Sequence, residues 1–333
     1  MTPAPSTSQR ILEELIRSDN DHSTGLQLAG RLKVMPGTIA PYVAELRKLG
    51  YEIESDPHLG YRLLRCPEVL LPDELKARLR VGSPTAEPVI GRDIIVYKQT
   101  DSTSNVIDRL ALDGIAEGVV VFAETQTKGR GRRGRTWISP SGSGLWLSVL
   151  LRPNWPPQAV TRITILSAVA LVEALREVTG IVAEIKWPND VLVNGRKLAG
   201  ILTEMETDSD QVRFVTLGIG VNVRHIDFPP ELQNIATTVE DACDQPVRRA
   251  DLAAALLLAL DRLYAKTVAG EFEPIRRQWG EHSSTLGKRV AMQIGTQCVE
   301  GQAMALDENG SMLVRTDNGR IEHVIGGDVV LEK

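Results

Sequence analysis

The chain has 333 residues, 42% hydrophobic and 24% charged, a composition that excludes disordered, fibrous and disulfide-scaffold classes and predicts two to three soluble domains. A net charge of −5 excludes recognition of polyanions by bulk charge, so any anion site must be local. Cys66, Cys243 and Cys298 have neither metal-ligand spacing nor a disulfide pattern, no apolar run nears the ~18 residues of a membrane span, and the N-terminus lacks a basic-then-apolar signal, so a cytoplasmic protein without membrane contact is expected.

Residues 8–65 read as three short helices and a β-hairpin. Ile11, Leu12, Leu15 and Ile16 make one helical face, and Thr24 with Gln27 forms a capping-box start for a helix through Leu32. A third helix is expected from about Thr38 to Leu49, with Thr38 as cap, Pro41 in the first turn, Ile39, Val43, Leu46 and Leu49 inward, and Gly50 as its stop. Tyr51–Glu54 and Gly60–Leu64 then flank a turn at Asp56-Pro57, which completes a winged helix-turn-helix over residues 1–66. Thr38, Tyr42, Arg47 and Lys48 are its candidate DNA-binding residues. Residues 1–66 hold eight Lys/Arg against eight Asp/Glu, and DNA affinity rests on phosphate neutralisation. A monomer should therefore bind DNA weakly, a dimer better, and a role in protein contacts stays open.

Residues 67–88, with Pro67, Pro72, Pro84 and Pro88, have linker composition and one short helix, Asp73 to Leu79. Residues 89–284 mix strands and helices, with strands at Asp93–Tyr97, Gly118–Glu124 and Leu145–Leu151, a helix at Val106–Leu112, and long amphipathic helices near 159–178 and 249–266. Residues 285–333 carry short strands between Gly and Asn turns and predict a small β-barrel. The overall expectation is an α+β multidomain chain.

Three segments of the central domain suggest chemistry. Residues 129–137, Gly-Arg-Gly-Arg-Arg-Gly-Arg-Thr-Trp, join two buried strands with four arginines and three glycines. Glycine permits close backbone approach and positive φ, and guanidinium groups hold carboxylate or phosphate oxygens. Asp101-Ser-Thr-Ser-Asn105 stands at a strand-to-helix junction, where hydroxyls either cap the helix or bind a ligand. Lys186-Trp-Pro-Asn-Asp190 leads into a hairpin with an Asn194-Gly195 turn, which predicts Leu192 opposite Lys197 and Asp190 opposite Ala199. Lys197 and Asp190 would then lie diagonally, roughly 7–8 Å apart, either around a phosphate-bearing ligand or as a surface ion pair. Gly218-Ile-Gly-Val-Asn222 ends a strand where a backbone must come close to something. With no nucleophile triad and no metal cluster, such a site would act by neutralising and aligning charged reactants, as in nucleotidyl transfer to a carboxylate.

In this order and spacing, Gly129-Arg-Gly-Arg-Arg-Gly-Arg, Lys186-Trp-Pro-Asn-Asp and Arg196-Lys-Leu-Ala-Gly-Ile resemble the biotin protein ligases. With the winged helix, the whole chain resembles their bifunctional ligase and biotin operon repressor branch. The resemblance implies a central α/β domain of the biotin/lipoate ligase type and an SH3-like C-terminal barrel. It implies that biotin and MgATP give biotinyl-5′-AMP, and that a lysine of the biotin carboxyl carrier protein of acetyl-CoA carboxylase then takes the biotin. It places biotin against Ser102, Thr103, Ser104, Gln126, Arg130, Gly131, Arg132 and Lys197, and makes Lys197 and Arg132 the catalytic pair. Arg132 would restrain release of the adenylate, and Trp137 would pack over the adenylate when the loop closes. Arg130, Trp137, Asn189, Asp190 and Asn222 fall on the nucleotide side, with Asp190 toward Mg²⁺. ATP with Mg²⁺ and biotin are thus substrates, with no permanently bound cofactor, and the partners implied are the carrier protein, biotin operon DNA and a second copy of the chain when the adenylate is bound. Ser104 stands where the family commonly has asparagine, with Asn105 next to it. A lipoate or octanoate ligase and a ligase with a non-DNA-binding winged helix are the alternatives.

Overall fold

The computed structural model describes residues 5–19, 21–83, 88–208, 210–294 and 297–331; Pro84 of the linker segment lies outside them. Reciprocal capping boxes start the first two helices: Ser6 with Gln9 opens α1 (Thr7–Arg17), and Thr24 with Gln27 opens α2 (Gly25–Leu32). A 3-10 turn at Pro36–Thr38 leads into α3 (Ile39–Lys48). The expected Thr38 cap does not form, because that turn sends its hydroxyl back to the Met35 carbonyl at 2.6 Å. Leu49, expected inward, follows the last residue of α3 and is half exposed. Strands β1 (Glu52–Asp56) and β2 (Gly60–Arg65) pair antiparallel as the wing. Its turn is held by the Asp56 carboxylate, which accepts from the Leu59 and His58 amides and is thereby kept below the usual carboxylate range.

The proline-marked segment that follows is packed on both sides. In α4 (Pro72–Gly82), Ala77 joins the core of the winged helix, while Leu75 and Leu79 join the larger core of the rest of the chain. Glu74 is fully buried there and accepts from Arg78 at 2.9 Å and Arg248 at 2.7 Å. What reads as linker is a strut.

The central sheet is built from β3 (Asp93–Tyr97), β4 (Val119–Ala123), β5 (Gly144–Leu151), β6 (Glu184–Lys186), β7 (Asp190–Val193), β8 (Arg196–Asp208) and β9 (Gln211–Asn222). Its order is β3-β4-β5-β9-β8-β7-β6, with only β3 and β4 parallel. Side chains alternate across its strands. Val120, Phe122, Leu147 and Val149 join the main core, with α6 (Thr161–Thr179) and α8 (Arg249–Val268). Val121 and Leu150 face α5 (Thr103–Leu112) with Val106 and Ile107. Contrary to the expectation that no apolar stretch nears the length of a membrane span, the helical stretch Pro157–Thr179 is long and apolar enough to cross a bilayer, yet is mostly buried within the protein.

Two shorter helices, α7 (Val239–Cys243) and α9 (Phe272–Glu281), complete the central part. The SH3-like C-terminal unit is a five-stranded antiparallel sheet of β10 (Arg289–Ile294), β11 (Gln297–Leu306), β12 (Met312–Arg315), β13 (Ile321–Val324) and β14 (Asp328–Leu331), ordered β13-β12-β11-β10-β14. Arg162 on α6 donates to the Glu308 carbonyl at 3.0 Å and to Asn309 at 2.9 Å, fixing this unit against the central domain.

Candidate active site

The first helical turn of α5 is set by Asp101, whose carboxylate accepts from the Ser102 amide and the Asn105 side chain, both at 2.7 Å. Those bonds, Asn105's the larger influence, hold its carboxyl below the usual range. Asn105 is therefore spent locally and does not stand in for an asparagine at Ser104. Ser102 makes no side-chain cap bond, which decides against capping as the purpose of these hydroxyls. Instead, Thr103 and Ser104 turn under the helix to Ser148 Oγ, at 2.8 and 3.1 Å. Ser148 belongs to the β5 face that meets α5, two residues from Leu150, so strand periodicity delivers it. It is fully buried and was not anticipated; a lone serine in Leu-Trp-Leu-Ser-Val-Leu-Leu was the available signal. Gln126 completes the cluster by accepting from the Thr103 amide at 2.8 Å.

These hydroxyls line one part of a cavity of about 630 Å³. Leu147, Ile201, Leu202 and Ile219 give it apolar wall, and Phe228, Leu232 and Ile235 border it. Arg130, Arg132, Arg135, Lys186 and Lys197 also line it, against Asp190 as the one carboxylate among the described lining residues. Cationic charge in an acidic chain is thus gathered at a single concave surface, where low-dielectric walls strengthen it. Ser102, Thr103, Ser104, Gln126, Gly131, Trp137, Asn189 and Asn222 line the same cavity, so every ligase-site residue expected from sequence is brought together. Lys186, which precedes Trp187-Pro188-Asn189-Asp190, lines it too.

The loop bearing the arginines runs between β4 and β5, and its glycines divide the two expected tasks. Positive φ falls at Arg133 (55°) and Gly134 (73°), not at Gly129 or Gly131. Gly129 is needed for space, since a Cβ there would overlap the Trp137 carbonyl. Trp137 already lies inside the cavity: a Cβ on Gly220 would come 2.6 Å from its indole, and one on Gly200 3.0 Å. The close approach that the β9 glycines allow is, at Gly220, to the chain's own tryptophan. Gly218 instead faces Ser104 Oγ. Arg133 also donates to the Gln293 carbonyl at 2.9 Å, joining the loop to the C-terminal sheet, a contact with no sequence signal.

The β7–β8 hairpin has the expected Asn194-Gly195 turn and Leu192–Lys197 pair, but a bulge between Val191 and Leu192 places Asp190 opposite Gly200 rather than Ala199. The two side chains meet at their charged ends, as an ion pair at the cavity wall: Lys197 Nζ lies 2.6 Å from Asp190 Oδ1 and 5.3 Å from the Trp137 ring centroid. Asn189 accepts from Arg132 at 3.0 Å and donates to the Ile201 carbonyl at 2.8 Å, while Asn222 donates to the Thr237 carbonyl at 3.1 Å. No group of three metal-type ligands occurs among the described residues. One carboxylate fits a magnesium ion carried mainly by phosphate and water, not one caged by protein.

The proposed DNA-contacting residues are less free than expected. Arg47 donates to the Ile53 carbonyl at 2.5 and 3.0 Å and to Ser55 at 2.6 Å, bracing the wing, and Tyr42 packs against the domain core. Lys48 is exposed.

Residues 96–222 match the biotin/lipoate A/B protein ligase family, residues 285–332 the biotin protein ligase C terminal domain, and residues 7–62 an HTH domain. The bifunctional ligase/repressor BirA of Bacillus subtilis (strain 168) is 35% identical over 329 residues, 98% of this chain and 99% of the relative. The chain belongs to the biotin protein ligase family. Among other members, BirA of Escherichia coli (strain K12) is 28% identical over 94% of each chain. The biotin protein ligase from Aquifex aeolicus in complex with biotin and ATP superposes with a TM-score of 0.62 at 29% identity, covering 73% of this chain and 99% of that one.

Proposed function

We propose that this biotin protein ligase activates biotin with MgATP to biotinyl-5′-AMP and pyrophosphate, then transfers biotin to a lysine of the biotin carboxyl carrier protein of acetyl-CoA carboxylase. The observation that carries the reading is the concentration of Arg and Lys around one cavity that also holds a buried hydroxyl cluster. A polar ring of biotin suits Ser102, Thr103, Ser104 and Gln126, and its carboxylate suits Arg130, Gly131 and Arg132. Lys197 would neutralise the carboxylate and α-phosphate oxygens as charge passes between them. Trp137, Asn189, Asp190 and Asn222 would face the nucleotide, with Asp190 toward the magnesium of the ATP complex. A relative named as a biotin–[acetyl-CoA-carboxylase] ligase, from Paracoccus denitrificans, is 34% identical over 67% of this chain and supports the carrier assignment. The test is incorporation of labelled biotin into a carrier domain: label is expected on the intact domain and absent when its acceptor lysine is changed to arginine, and failure to label the intact domain would refute the transfer step. A lipoate or octanoate ligase remains the competing enzyme, separated by substrate preference.

Arg132, held by Asn189 over the cavity, is assigned the retention of the adenylate. Arg132→Gly should raise its dissociation rate by at least ~10-fold, since a charge-assisted hydrogen bond is lost. Stray biotin should then appear on lysines of unrelated proteins. An unchanged dissociation rate would remove Arg132 from that role.

The second function in this reading is biotin-responsive repression, by a homodimer formed when the adenylate is bound. The even charge balance of residues 1–66 and the commitment of Arg47 to the wing leave a single domain near the ~10⁻⁴–10⁻⁶ M of non-specific binding, so two half-sites are required. Anisotropy titration on the promoter of the biotin synthesis genes should steepen with protein concentration, strengthen with biotin and ATP, and weaken sharply with salt. Absence of site-specific binding by the adenylate-loaded dimer would leave a ligase whose winged helix serves another purpose.

A further inference from the structure

Arg130 lies between the cavity and two carboxylates that do not line it. Its Nη2 is 3.3 Å from Asp108 Oδ2 on α5 and 2.8 Å from Glu204 Oε2 on β8. Thr216 on β9, directly opposite Glu204 in the sheet and almost fully buried, donates to Asp108 Oδ1 at 2.6 Å and fixes that carboxylate in turn. Glu204 is partly withdrawn from water, and burial pushes its carboxyl above the usual range, an influence that the Arg130 charge opposes. Arg130 Nε is buried and has no hydrogen-bond partner among the described residues. A buried N–H without an acceptor is unfavourable, so the contacts at Nη2 are what hold the side chain in this arrangement.

We propose that Asp108 and Glu204 are positioning residues that grip Nη2 of the Arg130 guanidinium and so fix the orientation in which Arg130, at the cavity wall, meets an anionic oxygen of the substrate. This deepens the ligase reading and rests on it: the oxygen belongs to a carboxylate or to the acyl phosphate made from it. By charge alone, two carboxylates behind one arginine oppose anion binding. Their function is geometric. Arginine has many rotamers, and one tethered at its far end loses less freedom on meeting the ligand. They also balance its charge while the cavity holds water.

The experiment measures biotin-dependent pyrophosphate release and direct biotin binding by titration calorimetry. Glu204→Gln keeps the shape of the side chain and removes its charge. It should raise the KM for biotin by about 10-fold while kcat changes by less than about 3-fold, the pattern of weakened ground-state binding. In an Arg130→Ala background the same substitution should change biotin affinity by less than about 2-fold, because residues acting through one partner are not additive. Asp108→Asn, made in parallel, should show the same split, and serves if Glu204→Gln fails to fold. An unshifted KM in a folded variant, or the full 10-fold loss superimposed on Arg130→Ala, would overturn the proposal. Wild-type protein that releases no pyrophosphate with biotin would overturn the ligase reading itself, a different result.

Discussion

Replacing Lys197 by alanine should slow adenylate formation by about 10²-fold or more, because a cation aimed at developing charge in a concave site with low-dielectric walls contributes several kcal/mol. The geometry gives this expectation its form. Lys197 Nζ sits against Asp190 and over the Trp137 ring, so it is already oriented and needs no reorganisation when charge develops. Removing it would also leave Asp190 Oδ1 buried without its cation. The loss should fall on kcat in single-turnover pyrophosphate release, with biotin affinity changed far less. Near wild-type turnover by a folded Lys197→Ala variant would take Lys197 out of the chemistry.

The second large effect concerns stability and lies at the junction between the winged helix and the ligase core. Glu124, at the end of β4, accepts from the Leu70 amide at 2.8 Å and pairs with Arg249 at 2.8 Å. Arg249 is 2% exposed and also donates to the carbonyls of Glu68 and Gly144. Its place in the first turn of α8 is unfavourable to the helix dipole, so tertiary partners hold it there. Glu124→Ala leaves that guanidinium buried without its counter-charge, a change that costs about 3–5 kcal/mol. Urea denaturation should show a midpoint lowered accordingly. Because the same carboxylate holds Leu70, the segment before α4 should also become more susceptible to limited proteolysis. A shift below about 1 kcal/mol would mean that the pair contributes no more than a surface salt bridge.

The fold was legible wherever one periodicity and one cap decide an element. A face of Ile11, Leu12, Leu15 and Ile16 suffices for α1, and Thr24 followed three residues later by glutamine for the start of α2, whereas the Ser6 cap of α1 was not anticipated. Asn194-Gly195 suffices for the β7–β8 turn. The residues of the site could be named because glycine and arginine at close spacing have few structural uses. Their mutual geometry could not. The irregularity beside Val191 shifts the register by one residue, so Asp190 faces Gly200 where the turn alone predicts Ala199, and strand spacing does not say whether the Lys197 and Asp190 charges meet. Likewise, proline content describes 67–88 as a linker, but burial of Leu75, Ala77 and Glu74 depends on two surfaces far away in sequence. Arg47 illustrates the same limit at the winged helix: its position on α3 reads as a phosphate contact, and only the wing carbonyl at Ile53 reveals a closer acceptor.

The measurement that bears most directly on the central claim is ATP–pyrophosphate exchange with biotin and with lipoate as alternative acids, at equal concentrations and with wild-type protein. Exchange that depends on biotin and is at least ~10²-fold slower with lipoate is the predicted result. Such discrimination is what the proposed binding of a polar ring by Ser102, Thr103, Ser104 and Gln126 should impose on an acid lacking that ring. Exchange supported by lipoate and not by biotin would contradict it.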